Sequence, residues 1–133
     1  MTTQEARIKI EKEFIDKYYE FLEDMKNTKA DDYEFGRKYG FFFRDEERIK
    51  KYSKDNQTTL MYFQREVFCG RWSQKWNAEG IDNRTLWKLK EEGFLSYKYY
   101  SNWNARSTGC QEFYYISQVV AKEIYKSYKK AGI

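Results

Sequence analysis

The sequence predicts a mainly α-helical fold with one small β-hairpin, an α+β chain. Three observations lead there. Apolar residues recur at three- and four-residue spacing from residue 3 to about residue 27 and again from 117 to 131, which is the period of an amphipathic helix. Between them, residues 81–95 hold a short, well-bounded helix: Asp82 stands where a cap is needed, Leu86 and Leu89 share a face, and Gly93 stands where the helix should stop. Residues 95–101 and 112–117 are rich in Tyr and Phe, which suit a pleated surface, and they flank a polar stretch whose one glycine is Gly109.

The first helix carries Ile10, Phe14, Tyr18, Phe21, Leu22 and Met25 on one stripe, widened by Ile15 and Tyr19. Its other face holds Glu11, Lys12, Asp16, Glu20 and Glu23, an ordinary solvated pattern. So much aromatic surface must be covered by the rest of the domain or by a second copy. Residues 27–32 are turn formers, and 33–43 are dense in aromatics around Gly36 and Gly40. Periodicity there fits a short helix or a strand, and a helix ending near Gly40, with Phe41, Phe42 and Phe43 in the core, is the expectation. Residues 45–52 run from acids to lysines, complementing a helix dipole. After a polar connector at 53–57, Thr58 is expected to cap a helix reaching about residue 69, with Leu60, Phe63, Val67 and Phe68 inward.

Residues 71–77 read as a brief helix with Trp72 and Trp76 on one face, followed by the polar break 77–80 with Gly80. Two short helices joined by a tight glycine-containing turn make a helix-turn-helix. The closing helix places Val120, Ile124 and Tyr128 on one face with Val119 and Tyr125 beside it, and Lys122, Lys126, Lys129 and Lys130 over the rest. Those lysines suit a helix C-terminus, and read functionally the helix is a dimerisation helix or a second basic surface.

Helix, turn, helix, hairpin, with the run from Thr85-Leu86 through Leu89 to Gly93-Phe94-Leu95, resembles the winged helix-turn-helix family. The likeness covers roughly residues 58–130, within a domain drawn as 58–133 with its C-terminal helix, and residues 1–57 form an N-terminal helical arm. It implies a sequence-specific double-stranded DNA-binding protein, a transcriptional regulator acting as a homodimer on palindromic sites, with the terminal helices as the interface. In that docking the second helix enters the major groove. Asn83, Arg84, Trp87 and Lys88 then face outward, with Thr85 at the margin; Arg suits a guanine edge, Asn an adenine edge and Lys a phosphate. The same residues also read as a solvated helix face. The hairpin tip adds Lys98, Asn102, Trp103, Asn104 and Arg106, which read either as a wing along the DNA backbone or as a hydrated loop.

Composition bounds the rest. The 133 residues suit one domain, or one domain with an arm, and the chain is 20% aromatic, with 13 Tyr and 10 Phe but no Pro and no His, so it can bury a real core. Residues 1–57 carry 13 Lys+Arg against 14 Asp+Glu, net −1, and residues 58–133 carry 12 against 7, net +5. The positive surplus therefore sits where phosphate binding would need it. Without His there is no Ser-His-Asp or Cys-His pair, and Cys69 and Cys110 cannot supply a four-thiolate zinc site. The two read as buried free thiols or as a single disulfide. There is no P-loop, no GxGxxG and no nucleophile elbow, so neither an enzyme nor a cofactor or metal is expected, although an aromatic pocket leaves room for a small apolar effector. No apolar run approaches the roughly 18 residues of a membrane span, and Met-Thr-Thr-Gln-Glu has no leader character; a soluble, cytoplasmic protein is expected. Small Lys- and Tyr-rich chains of this composition also occur among phage and mobile-element proteins that bind and inhibit a host protein or nucleoprotein complex, and this anti-defence role is the second reading.

Overall fold

The computed structural model describes residues 1–26, 56–68, 70–100 and 112–132. The expectations for residues 27–55, for Cys69 and Cys110, and for the hairpin tip at 101–111 lie outside them. The described residues are mainly helical, with a small three-stranded antiparallel sheet, as the α+β pattern requires.

Helix α1 (Thr3–Lys26) follows the expected stripe closely. Ala6, Ile10, Phe14, Tyr18 and Phe21 are wholly buried, each three or four residues from the last, so they project from one side of the helix. That side meets the next helix ring against ring. Phe63 is the hub: its ring centroid lies 5.2 Å from Phe14, 5.1 Å from Tyr18 and 5.6 Å from Phe21. Aromatic pairs at such distances add to the area they bury. The stripe of α1 is thus covered by its own chain, in one core shared with the helix-turn-helix and the closing helix.

Helix α2 (Asn56–Tyr62) begins two residues before the expected cap at Thr58 and widens into a π-helical turn, Phe63–Val67. The wider turn is closed by the Phe68 amide, which donates to the Phe63 carbonyl at 2.8 Å. It also gives Phe63 and Phe68, five residues apart, the same side of the chain, where both are buried and their rings stack at 6.2 Å. An unbroken α-helix would have splayed them. Gln64, buried in the same turn, donates its amide to the Ile116 carbonyl at 2.8 Å and ties the turn to the residue that follows the last strand.

The expected helix over residues 71–77 is corrected at its start. Arg71–Trp72 is a strand, β1, that pairs antiparallel with the last strand, and helix α3 spans Ser73–Ala78. Trp72 therefore has extended backbone (φ −64°, ψ 151°) and is 42% exposed, whereas Trp76 is wholly buried; the two indoles do not share a face. Gly70 makes the close approach possible. It sits at φ +119°, and a Cβ there would lie 2.6 Å from Tyr115 Cβ and 2.8 Å from the Tyr114 carbonyl oxygen, closer than any side chain tolerates.

Helix α4 (Asn83–Glu91) has the expected boundaries. The Asp82 carboxylate accepts the Thr85 amide at 2.8 Å. At the other end Gly93, at φ +80°, donates to the Lys90 carbonyl, and Phe94 donates to Leu89 at 2.9 Å, the paired bonds of a Schellman stop. Phe94 and Leu95 are then buried as the chain turns into β2 (Ser96–Tyr99), which pairs with β3 (Glu112–Tyr115) in strand order β1-β3-β2. Helix α5 (Gln118–Lys130) is capped by Ser117, whose hydroxyl accepts the Val120 amide at 3.3 Å. Val120 and Ile124 are buried and Tyr125 half-buried, but Val119 is turned outward and 65% exposed.

Candidate functional site

Helix α4 buries Leu86 and Leu89 and turns Asn83, Arg84, Trp87 and Lys88 to the surface. Thr85, expected at the margin of that face, is instead buried. Its backbone and side chain both bond to Asp82 and hold that carboxyl below its ordinary value, so Thr85 serves the helix start. Asn83 is partly engaged as well: its side-chain oxygen accepts the Asn77 amide at 3.1 Å, while Asn77 also donates to the Ile81 carbonyl at 2.7 Å. The turn between α3 and α4 is braced from both sides.

The outward face of α4 and the sheet enclose a shallow groove of about 500 Å³. Arg84, Trp87 and Lys88 line one wall, and Glu112 and Tyr114 of β3 contribute to the other. Trp87 meets Tyr97 edge to face at 5.3 Å and receives the Lys90 ammonium 4.5 Å from its ring centroid, so it is held firmly although 43% exposed. Charge in the groove is mixed. Arg84 lies in the first turn of α4 and Lys88 in its last, and the carboxylates Glu91 and Glu112 line the same groove.

Arginine pairing separates this surface from the rest of the molecule. Arg71 donates to Glu13 and to Glu79 at 2.6 Å each, and its guanidinium lies 4.7 Å from the Trp76 ring and 5.2 Å from the Phe68 ring. Lys9 donates to the Glu79 carbonyl, and Lys17 adds an ammonium 3.2 Å from Glu13. Burial pushes the Glu13 carboxyl up, but Arg71 and Lys17 together outweigh it and hold it below the ordinary value. Trp76 completes the clasp: its indole N–H reaches the Arg71 carbonyl at 3.1 Å and the Tyr114 carbonyl at 3.3 Å. Arg7 and Arg65 are likewise bound to Glu11 and Glu66. Among the described arginines, Arg84 alone holds no carboxylate.

The residues expected at the hairpin tip divide. Lys98 is exposed but stands across from Phe113 on the sheet face opposite to that of Tyr97 and Tyr114, and its ammonium lies 5.2 Å from the Tyr100 ring. It does not join Arg84 and Lys88 in the groove. Asn102, Trp103, Asn104 and Arg106 fall outside the described residues. The sheet's outer face, with Trp72, Tyr100, Phe113 and Tyr115, was not legible as a surface, because β1 has no periodicity and Trp72 mimics a helix position. Glu112 was missed too; the alternation of residues 112–115 was the signal that places it opposite Tyr99, on the face of Tyr97 and Tyr114.

Among the described residues no cluster of His, Cys, Asp or Glu is placed to hold a metal ion, and no helix is long and apolar enough to cross a membrane. Compared with family models, curated proteins and solved structures, the chain matches none.

Proposed function

We propose that this chain is a sequence-specific double-stranded DNA-binding protein of winged helix-turn-helix type, a transcriptional regulator that reads DNA with α4. The observation that carries the reading is Arg84: exposed near the start of α4, beside Asn83 and Lys88, and without a carboxylate among the described residues. The order α2, β1, α3, α4, β2, β3 with strand order β1-β3-β2 supports the winged-helix assignment. On this reading Arg84 forks onto a guanine edge, Asn83 contacts an adjacent base and Lys88 takes a phosphate. The homodimer belongs to the same proposal, and since the stripe of α1 is already covered, its interface lies elsewhere.

The test is binding to random-sequence duplex across a salt series, wild type beside the Arg84→Ala/Lys88→Ala variant. The expected result is affinity that falls steeply with salt, and a slope shallower by about one to two phosphate contacts in the variant. No binding by the wild type at low salt would end this reading.

A second reading has its own observation. Trp87 stands exposed in a groove that also holds Glu91 and Glu112, and the cations form no continuous stripe among the described residues, since Lys98 is on the other side of the sheet. A mixed, aromatic-centred groove fits a protein partner. On this reading the chain is a phage or mobile-element protein that blocks a host protein or nucleoprotein complex, and α4 contacts that partner.

A further inference from the structure

Strand alternation gives the small sheet two unlike faces. Tyr97 and Tyr114 point to the core side, where Tyr114 is buried and Tyr97 meets Trp87. On the outer side, Trp72, Phe113 and Lys98 form one row across all three strands, with Tyr115 and Ser96 in the next. Tyr100 completes the cluster. Trp72 lies edge to face with Tyr100 at 5.3 Å and with Phe113 at 5.4 Å, and Phe113 stacks beside Tyr115 at 5.9 Å. Trp72 meets Tyr100 at 64° and Phe113 at 68°, so neither ring lies flat over the indole. Trp72 stays 42% exposed and Tyr100 39%. Gly70 puts no side chain against Phe113 and Tyr115.

We propose that this outer face is a stacking platform for the unpaired bases of single-stranded nucleic acid. Two features select that occupant. The outward positions of the three strands carry no aliphatic side chain among the described residues, so they offer rings to a flat π-system and not the Leu, Ile or Met anchors that suit a partner helix or a second copy. They carry no carboxylate either: Glu112 is on the other face, and the charge present is Lys98, whose ammonium lies 5.2 Å from Tyr100. Aromatic rings with a flanking cation are what a single strand requires, since every base has a π-face and each phosphate a charge. The platform is separated from α4 by the sheet itself, so it goes beyond the duplex reading and does not depend on it.

The experiment titrates the full-length chain into fluorescein-labelled oligothymidylate and, in a second arm, oligouridylate at low salt, followed by anisotropy. Wild type is compared with Tyr100→Ala, Trp72→Ala and Lys98→Gln. Binding in either arm supports the platform, and the stronger arm identifies DNA or RNA. Tyr100→Ala, which lies outside the strands and should leave the circular dichroism unchanged, is expected to weaken binding about tenfold; it decides the matter even if Trp72→Ala fails to fold. Lys98→Gln should flatten the salt dependence. The Arg84→Ala/Lys88→Ala variant is expected to keep wild-type affinity for the single strands, so a failure of the duplex reading is told apart from a failure of this one. The proposal is overturned if wild type binds neither oligomer, or if a natively folded Tyr100→Ala binds as tightly as wild type.

Discussion

Arg71 and Arg84 are the same side chain put to opposite uses. Arg71 lies under the helix-turn-helix with its side chain 14% exposed, bonded to Glu13 of α1 and Glu79 of the turn. Arg84 lies on α4, exposed and without a carboxylate among the described residues. In the first region every charge is consumed internally, so its chemistry is that of stability. In the second, a strong five-donor group makes no ion pair among the described residues, and on the proposed reading that group meets the DNA. Substitutions in the two regions should therefore separate cleanly, with folding lost on one side and recognition on the other.

The largest effect is expected at the clasp's aromatic floor. Trp76→Ala empties a wholly buried site and strips both carbonyls of their indole donor; a loss of about 3–5 kcal/mol is expected in urea unfolding. Arg71→Ala comes next, at about 3 kcal/mol, because it strands two partly buried carboxylates. The pH dependence sharpens this. Glu13 titrates below the usual 4.5 in the folded chain, so its stabilising contribution is present above that value and is lost as pH falls through the lower, folded one. In Arg71→Ala that acid-side loss should shrink, and unfolding midpoints measured from pH 3 to 7 would show it. An acid limb as steep as in wild type would mean that Arg71 is not what depresses Glu13.

A smaller effect is expected at Gly93. At φ +80°, with open space where a Cβ would stand, Gly93→Ala meets only backbone strain, about 1 kcal/mol. Gly70→Ala is the contrast, because there the added carbon also collides with β3. Equal losses at the two sites would show that the close approach of Gly70 does not matter.

These same residues explain what could be seen in the sequence. Helix α4 was legible because its determinants are local: Asp82 at the start, Leu86 and Leu89 inside, Gly93 at the end. The stripe of α1 was legible because long helices repeat their period many times. Strand β1 was not, since two residues have no period and their partner, β3, is far along the chain. The π-helical turn was hidden for a similar reason, because Phe63 and Phe68 show their common side only once α1 is packed against them. At the site, Arg84 and Lys88 followed from helical spacing. Lys98 did not separate from them until the pairing register put it on the opposite face, and the clasp of Arg71 joins residues that nothing local links.

The smallest expected effect on stability belongs to Arg84, and it is the most informative for recognition. Arg84 makes no ion pair among the described residues, so Arg84→Lys should leave unfolding unchanged within about 0.5 kcal/mol. Lysine keeps the charge but not the planar fork that matches a guanine edge. If α4 reads bases, Arg84→Lys should retain the salt dependence of wild-type duplex binding and lose about 1–3 kcal/mol of discrimination between a selected site and random sequence. If Arg84 only touches phosphate, discrimination should survive the change. And if neither quantity moves, the open guanidinium is not turned towards DNA, and the contrast with Arg71 would then point to an acidic surface on a protein partner as the group that completes it.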